Sequence, residues 1–493
     1  MRATLVFGAL ACAALGACQW RLPEPTLADS ATDVTPLDAI TDVPEDRLDD
    51  RGVLDTGAHD VPTADVTTDS ATDAAARRFV FPACSTPSTL RPDADPRAPF
   101  HHAITIERPV TVHPNGRGVC VGDLDGDSTN ELIVLRPDDR ADVLDPATLC
   151  VRASIRVPEL ARGCVIDDFD ADGEPELALA VNERHGVHLG AGRTAVVVGH
   201  IDPPANTASP FVLRSPMAWQ IAESRNLRGI GVAIASLDLD RDGERELVVG
   251  GSVTFTPTYA DAFVRGWEFS PSASCTGERR CPRQVVDHTF DALDTQTLLV
   301  ASIDADPDDE LYVEVGCNRG GLFRFDNTWP APPAEVGVLG QPSNGAFADL
   351  DGDGALDLLT ATSPRCNGGA GGDSALRWLR AEGGRFRYYT EVANPAIRRG
   401  AQAFAAPIDA MGDARPEALL CSRDADNTRP FSVRCDLFYV DTPFFDPEWT
   451  WTDPSPAQPD ILSRVVVLDA NRDGRQDAVV VSEARLHLLL GRR

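Results

Sequence analysis

The sequence contains no lysine; all 45 of its basic residues are arginines. The chain therefore has neither the phosphate-binding lysine of a P-loop nor a lysine that could form a Schiff base. It also lacks the His-Glu-x-x-His, Gly-x-Ser-x-Gly and glycine-rich nucleotide-binding motifs, and its nine histidines are scattered along the chain. These absences predict a protein that is not an enzyme.

Acidic residues are in large excess: 76 of them stand against 45 arginines, and the formal net charge is −31. A nucleic-acid-binding surface is normally basic, so this excess argues against nucleic acid as a partner. Many of the acidic residues recur in short loops with regular spacing. That pattern suggests that part of the negative charge serves to bind cations.

The 12 cysteines indicate an oxidising compartment, since cytosolic proteins seldom carry so many. Two of them precede residue 20, which leaves ten for disulfides. Their positions suggest three pairs: Cys275–Cys281, Cys421–Cys435 across a hairpin, and Cys317–Cys366 between neighbouring repeats. The partners of the remaining four stay open: Cys84, Cys120, Cys150 and Cys164.

The first 17 residues have the pattern of an export signal, in which Arg2 precedes an apolar run, Leu5 to Ala14, that is too short to span a bilayer. The following residues, Leu15 to Cys18, resemble the bacterial lipobox. This resemblance implies cleavage before Cys18 and lipidation of that cysteine, with two or more acyl chains anchoring the protein stably. Gln19 replaces the aspartate that retains such lipoproteins in the inner membrane. We therefore expect the outer membrane or cell surface, with the periplasmic face left open.

Residues 18–78 have a composition unlike that of a folded domain. Between Glu24 and Asp73 they contain 14 acidic residues, and no aromatic residue lies between Trp20 and Phe79. Such a segment cannot bury enough apolar surface to offset its ordering entropy, so it predicts a disordered acidic tether. Residues 79–99 form a lead-in to the rest of the chain.

One motif recurs seven times, with first aspartates at positions 123, 168, 238, 304, 349, 409 and 469. Each copy is an acidic loop between two apolar runs, as expected for a hairpin of two strands. The separations of 45 to 70 residues suit one four-stranded propeller blade plus variable loops. After the last copy only two strands remain, so we expect residues 104–112 to supply the missing outer strand and close the ring.

The copies resemble the FG-GAP or VCBS repeats of integrin-α-type propellers. The resemblance covers residues 100–493 and implies an all-β, seven-bladed β-propeller of four-stranded blades. It also implies that the loops hold Ca²⁺, at about five sites. The implied ligands are Asp123, Asp125, Asp127 and Glu131; Asp168, Asp170, Asp172 and Glu176; Asp238, Asp240, Asp242 and Glu246; Asp349, Asp351, Asp353 and Asp357; and Asp469, Asn471, Asp473 and Asp477.

Calcium also fits the chemistry of the loops, because it takes six to eight oxygen ligands in a flexible geometry. Glycine at position six, as in Gly173 and Gly243, permits a positive φ, whereas the first loop has Ser128 there. An EF-hand is excluded, because position twelve of the intact loops carries no carboxylate. The fourth copy, from Asp304, is shortened, and the sixth has Met411 in place of a carboxylate, so we expect no tightly bound ion in either.

The function is left between two classes. The first is a recognition or adhesion module for a protein or carbohydrate, and the second is a non-catalytic scaffold of an envelope assembly; a hydrolase with an unrecognised site is a distant third. The aromatic stretch from Phe444 to Trp451 is either an anchor for a partner or a strand that directs its rings into a blade core.

Overall fold

The computed structural model describes residues 79–84, 98–107, 118–158, 161–184, 192–204, 209–224, 232–256, 259–270, 281–290, 294–302, 309–316, 321–325, 333–338, 343–362, 375–383, 385–393, 403–423, 433–440, 447–453, 462–482 and 484–491. All of these belong to one compact unit, Ser70–Arg493. The predicted signal peptide, Cys18, the tether and the fourth loop at Asp304 lie outside the described residues.

The described residues contain 28 strands and no helix. In chain order the first half is β1 (Phe100–Glu107), β2 (Val119–Gly122), β3 (Glu131–Leu135), β4 (Arg140–Leu144), β5 (Val151–Arg156), β6 (Ala161–Asp167), β7 (Glu176–Arg184), β8 (Gly192–Asp202), β9 (Phe211–Ser224), β10 (Val232–Leu237), β11 (Glu246–Thr256), β12 (Tyr259–Ser270), β13 (Cys281–Phe290) and β14 (Asp294–Ala301).

The second half is β15 (Glu310–Gly316), β16 (Gly321–Phe325), β17 (Ala334–Val338), β18 (Ser343–Ala348), β19 (Asp357–Thr362), β20 (Ala375–Glu382), β21 (Arg385–Ala393), β22 (Ala403–Ile408), β23 (Glu417–Arg423), β24 (Val433–Phe438), β25 (Trp449–Thr452), β26 (Leu462–Leu468), β27 (Asp477–Ser482) and β28 (Arg485–Gly491). With no helix among the described residues, none of them forms a helix long and apolar enough to cross a membrane.

Consecutive strands pair antiparallel in units of four, which have the form of propeller blades. Four sheets follow the simple orders β10–β13, β14–β17, β18–β21 and β22–β25, and a fifth has the order β1-β28-β27-β26. The sixth sheet has eight strands in the order β2-β3-β4-β5-β9-β8-β7-β6, in which two antiparallel units are joined by a short parallel pairing of β5 with β9. The described chain is thus all-β.

Neighbouring units pack through the two faces of each sheet, because successive side chains of a strand point to opposite faces. In β27, Val479 and Val481 belong to a cluster shared with β2 and β3, whereas Ala478 and Val480 belong to a cluster shared with β22 to β24. All four side chains are fully buried or nearly so. Burying one such valine contributes about 1.5–3 kcal/mol relative to leaving it exposed.

The first strands of successive units contact one another in chain order, from β2 through β6, β10, β14, β18 and β22 to β26. The cycle closes where the guanidinium of Arg464 in β26 donates a 2.7 Å hydrogen bond to the carbonyl oxygen of Val119 in β2. The first and last units also share a buried cluster, which contains Val119 and Val134 of the first and Val479 and Val481 of the last. The described units therefore form a continuous ring of blades.

The N-terminal strand completes the last sheet, where β1 pairs antiparallel with β28 from Phe100 opposite Gly491 to Glu107 opposite Arg485. The sequence placed this outer strand at residues 104–112, whereas the described strand begins four residues earlier, at Phe100. The difference has a packing cause. Phe100 is 1% exposed and contacts Trp449, with ring centroids 5.2 Å apart. Residues 108–117 lie outside the described residues.

The lead-in packs onto the first blade. Phe81 is 2% exposed within the core shared by β3 to β9. The guanidinium of Arg152 donates a 2.8 Å hydrogen bond to the carbonyl oxygen of Phe81, and a disulfide joins Cys84 to Cys150. These contacts fasten residues 79–84 to the ring.

The described disulfides are Cys84–Cys150, Cys120–Cys164 and Cys421–Cys435. The predicted pair Cys421–Cys435 is confirmed, since these residues face each other on β23 and β24. Cys120 and Cys164 connect β2 with β6, so a covalent bond joins two neighbouring blades. Three of the cysteines in the other suggested pairs lie outside the described residues: Cys275, Cys317 and Cys366.

The described end of the aromatic stretch is a strand. In β25, Trp449 and Trp451 are two residues apart and both pack on the same hydrophobic cluster, in which Trp451 is 8% exposed. Of the two interpretations, the core strand is confirmed for these two tryptophans. Residues 441–446 lie outside the described residues.

Candidate metal-binding loops

Each described acidic loop connects the first strand of a blade with the second. The loops lie between β2 and β3, β6 and β7, β10 and β11, β18 and β19, β22 and β23, and β26 and β27. Because the blades repeat one strand order, the loops share one end of the inner strands and therefore one face of the ring. We number them by copy, so that the fourth copy has no described loop.

Two residues in each described loop have a left-handed backbone. Position six has a positive φ as predicted, for example 84° at Gly243 and 88° at Gly354, and Ser128 adopts it as well at 67°. Position four is also left-handed, which the sequence pattern did not predict. Arg241 has φ 65° and Ala171 has φ 54°. Non-glycine residues in this region are costly and persist only where the surroundings enforce them.

The first aspartate of each loop organises this turn. Asp168 accepts the backbone N–H of Asp172 at 3.1 Å and that of Gly173 at 2.9 Å. In the sixth loop Asp409 accepts the equivalent N–H groups of Asp413 and Ala414, both at 3.0 Å, although Met411 replaces the second carboxylate. The loop backbone is therefore specified by local hydrogen bonds and is kept where the carboxylate set is incomplete.

The carboxylate at position nine begins the second strand and is buried in every described loop. Its exposed fraction is 4% or less at each of Glu131, Glu176, Glu246, Asp357, Glu417 and Asp477. In five of the six loops it accepts the backbone N–H of position two, at 2.6 Å from Leu239 to Glu246, for example. Asp357, with its shorter side chain, instead accepts hydrogen bonds from the Trp378 indole and from Ala381 N–H, both at 2.9 Å.

In the third loop, buried carboxylate oxygens lie close together without hydrogen-bond partners. Oxygens of Asp238, Asp240 and Glu246 lie within 4.8 Å of one another. Buried oxygens of Asp238 (Oδ1) and Glu246 (Oε1) have no hydrogen-bond partner, and burial raises the pKa of Glu246 to about 8. Burial, then the Asp242 carboxylate, raises the pKa of Asp240, and the charge of Glu268 adds to this rise. A buried carboxylate oxygen without a partner is costly, so this group fits a divalent cation.

The first loop gathers oxygens of Asp123, Asp125 and Asp127, but a guanidinium already contacts its buried carboxylates. Arg152 lies 2.7 Å from Glu131 and 3.6 Å from Asp125. Asp125 also accepts the N–H of Phe81 at 2.7 Å. Burial raises the pKa of Glu131 to about 7 even with Arg152 beside it. The loop is thus partly neutralised from within the protein.

The fifth loop resembles the first in this respect. Oxygens of Asp349, Asp351 and Asp353 come together, and the Arg380 guanidinium lies 2.7 Å from Asp351 and 3.0 Å from Asp353. The hydrogen bond from Arg380 lowers the pKa of Asp353, after the larger effect of the Ala355 N–H. An internal arginine therefore stands beside the carboxylates that the sequence assigns to calcium.

The second loop contains an imidazole that the sequence analysis did not identify. His200 lies on β8 and joins Asp170, Asp172 and Glu176, with one ligand atom of each residue within 4.8 Å of all the others. Burial alone lowers the pKa of His200, but the Glu176 and Asp172 carboxylates outweigh it and raise that pKa. Only the register of β7 with β8, which continues from Leu177 opposite Gly199, brings His200 to this position.

The seventh loop keeps the same backbone with a weaker donor set. Asp469 accepts the N–H of Asp473 at 3.0 Å, and the Asn471 carbonyl oxygen accepts the same N–H at 2.9 Å. Asp477 is fully buried and accepts N–H bonds from Ala470 and Gly491, and burial raises its pKa to about 6.

No family model and no curated protein matches the chain. Among solved structures, the chain is similar to two crystal structures of BBS1N in complex with ARL6DN, one soaked with lead and one with mercury. In both cases the alignment covers 80% of this chain and 98% of the matched chain, with a TM-score of 0.47. The sequence identity is 12% for the lead-soaked structure and 11% for the mercury-soaked one. A likeness at this level does not assign a function. On its own sheets, the chain is an all-β protein built of propeller-like four-stranded blades.

Proposed function

We propose that the chain is a seven-bladed propeller of the FG-GAP or VCBS type, stabilised by calcium, that acts as a binding module. Seven sequence copies and the contact of β26 with β2 support this blade count. The module would be non-catalytic, because the chain carries none of the catalytic motifs sought in its sequence.

Calcium is supported above all by one observation in the third loop, the buried Glu246 oxygen that has no hydrogen-bond partner among the described residues. Asp238, Asp240, Asp242 and Glu246 would hold the ion, with Glu268 adding negative charge nearby. The donors are all oxygens, the set that calcium prefers. In the first and fifth loops the ion would have to displace Arg152 or Arg380, so we expect the third loop to bind it most tightly.

Thermal unfolding of the full chain in calcium and in EDTA tests this assignment. If the dissociation constants are near 10⁻⁴ M, each occupied site stabilises the fold by about 1.4 kcal/mol at ~1 mM calcium. The melting temperature should therefore fall in EDTA and recover when calcium is restored. Restoring Mg²⁺ in place of calcium is the control for a non-specific effect of divalent ions. A melting temperature that does not respond to EDTA would contradict the calcium assignment.

A recognition role is supported by the described surface. Tyr388 and Tyr389 on β21 are 59% and 57% exposed, the only aromatic side chains among the large exposed hydrophobic residues of the described chain. Tyrosine is enriched at interfaces, where its ring supplies apolar area and its hydroxyl group a polar contact. The outer strand of the fifth blade is thus a candidate surface for a protein or carbohydrate.

Lipid anchoring through Cys18 at the outer membrane or cell surface would display this surface outside the cell. Metabolic labelling with a fatty acid, lost in Cys18→Ser, tests the anchor. The soluble Cys18→Ser chain can then be screened on a glycan array and in pull-downs, alone and with Tyr388→Ser. Ligands that Tyr388→Ser loses support recognition, whereas exclusive recovery of envelope proteins, unchanged in that variant, would favour the scaffold alternative.

A further inference from the structure

The second loop differs from the other described loops in its donor atoms. His200 places Nε2 3.9 Å from Asp170 Oδ2 and 3.9 Å from Asp172 Oδ2, and Nδ1 3.0 Å from Glu176 Oε1. The side chains of Glu176 and His200 are 4% and 17% exposed. Three carboxylates and one imidazole therefore converge on one small space.

This donor set is unlike that of a calcium site. Calcium takes oxygen ligands, whereas imidazole nitrogen favours first-row transition cations such as zinc, iron, nickel and copper. Carboxylate oxygen and histidine nitrogen both bind Zn²⁺ at about 2.0–2.2 Å. One ligand atom from each of the four residues lies within 4.8 Å of the other three, so an ion among them could be reached by all four after small side-chain movements.

A histidine beside carboxylates can also serve as a counter-charge, as Arg152 and Arg380 do in the first and fifth loops. Those arginines, however, form hydrogen bonds: Arg152 donates to Glu131 at 2.7 Å and Arg380 to Asp353 at 3.0 Å. In the second loop His200 Nδ1 and Glu176 Oε1 are at ion-pair distance, 3.0 Å apart, but their alignment does not meet the geometry of a hydrogen bond. Buried Nδ1 of His200 and Oε1 of Glu176 are both left without a hydrogen-bond partner. Both atoms therefore keep a lone pair that a cation could accept.

The group is also accessible. A cavity of about 400 Å³ opens between the first and second loops and is lined by Asp125, Gly173, Glu174, His200 and Arg214, among others. A hydrated ion can enter from solvent through this cavity, and water molecules can complete its coordination. The comparable cavity between the fifth and sixth loops is lined by Asp349, Asp351, Glu417 and Tyr439 and has no histidine.

We propose that Asp170, Asp172, Glu176 and His200 form a site for a first-row transition divalent cation, with zinc as the best-matched ion, within a ring whose other metal loops take calcium. This proposal rests on the proposed metal-binding function of the loops and assigns the second loop a different ion. His200 is the residue that sets the preference.

Isothermal titration of the soluble Cys18→Ser chain with ZnCl₂, in 1 mM CaCl₂, tests the site. We expect one zinc ion to bind at this site in the presence of calcium. His200→Gln should weaken that binding by about tenfold or more, the scale on which changes around a bound metal act. His288→Gln is the matched control, because His288 lies on β13 against Phe290 and Phe325, away from the acidic loops. Asp170→Asn provides a second variant if His200→Gln does not fold.

The outcomes separate this proposal from the calcium assignment. Zinc binding that is equal in the wild type, His200→Gln and Asp170→Asn would overturn the zinc site. If His200→Gln loses the zinc site but keeps the calcium-dependent rise in melting temperature, both proposals stand. If calcium has no effect on either protein while zinc binding still depends on His200, the calcium assignment fails and the zinc site remains.

Discussion

The third and fifth loops have the same backbone and opposite electrostatics. Both are left-handed at positions four and six, with φ values of 65° and 84° in the third loop and 74° and 88° in the fifth. Continuing the strand register by one residue places Glu268 opposite Glu246 in the third blade and Arg380 opposite Asp357 in the fifth. The same position on the third strand thus carries a carboxylate, paired with the Arg283 guanidinium, in one blade and the Arg380 guanidinium in the other.

This contrast separates the shape of the loop from the charge around it, two properties that the repeat motif alone does not distinguish. The shape of the loop is local, because its N–H groups are satisfied by the first aspartate of the same loop. The charge that faces the loop is brought in by another strand, and on our proposal that charge sets the affinity for a cation. A complete carboxylate motif therefore predicts the turn reliably and the ion less so.

Glu246→Gln in the third loop should give the largest effect, with a sign that depends on calcium. In calcium the variant loses a ligand and about 1–2 kcal/mol of stability, the contribution of one site. In EDTA it should be more stable than the wild type, because the amide is neutral as it stands, whereas Glu246, with its pKa raised to about 8, must take up a proton on folding at neutral pH. Urea unfolding midpoints in both conditions measure this reversal. A variant that is destabilised equally with and without calcium would show that Glu246 acts only in packing.

A pair of neutral substitutions on the third strand tests the comparison directly. Glu268→Gln should weaken calcium binding by the third loop, whereas Arg380→Gln should strengthen binding by the fifth, each by roughly fivefold or more, since one screened charge pair at about 4 Å contributes ~1 kcal/mol in water. Calcium titration followed by calorimetry measures both. Equal shifts in the same direction would mean that the opposing side chain does not decide affinity.

Alanine at position six should have similar effects in the two loops. Gly243 and Gly354 have φ values of 84° and 88°, and an added Cβ would meet no atom within 4 Å at either residue. Only backbone strain remains, so each variant should lose about 1–2 kcal/mol. Unfolding midpoints in EDTA measure this cost without the ion. A large difference between the two variants would contradict a shared backbone. Ser128→Gly, in the first loop, should change stability in the opposite direction.

A pH-dependent effect is expected in the sixth loop, where Met411 interrupts the carboxylate set. Burial raises the pKa of Glu417 from its ordinary 4.5 to about 7. A carboxyl group with a raised pKa stabilises the fold when protonated, so its contribution is complete below pH 4.5 and is lost as the pH rises through 7. Glu417→Gln keeps an acceptor for the Ala410 N–H and does not titrate. Its melting temperature relative to that of the wild type should therefore rise between pH 5 and pH 7.5; a constant difference would exclude this titration.

Several structural features could be read from the sequence because they depend on short-range pattern. The six described acidic turns, the strands around them and the glycines of position six follow from alternation and turn chemistry within about 15 residues. The pairing of Cys421 with Cys435 was predictable for the same reason, since one hairpin joins them. The closing strand was expected to begin at Ile104, but it begins at Phe100. The cause is a long-range contact, the packing of Phe100 against Trp449.

The sequence by itself determined where the loops are and how each one turns, because every loop carries its own hydrogen-bond acceptors. The tertiary structure decided what faces each loop. Glu268, Arg380 and His200 follow position nine by 22, 23 and 24 residues, in segments that share no motif. Their approach depends on the register between the second and third strands, which is set by hairpins of different length. That register places a carboxylate, a guanidinium and an imidazole at equivalent positions, so that otherwise similar loops face different side chains.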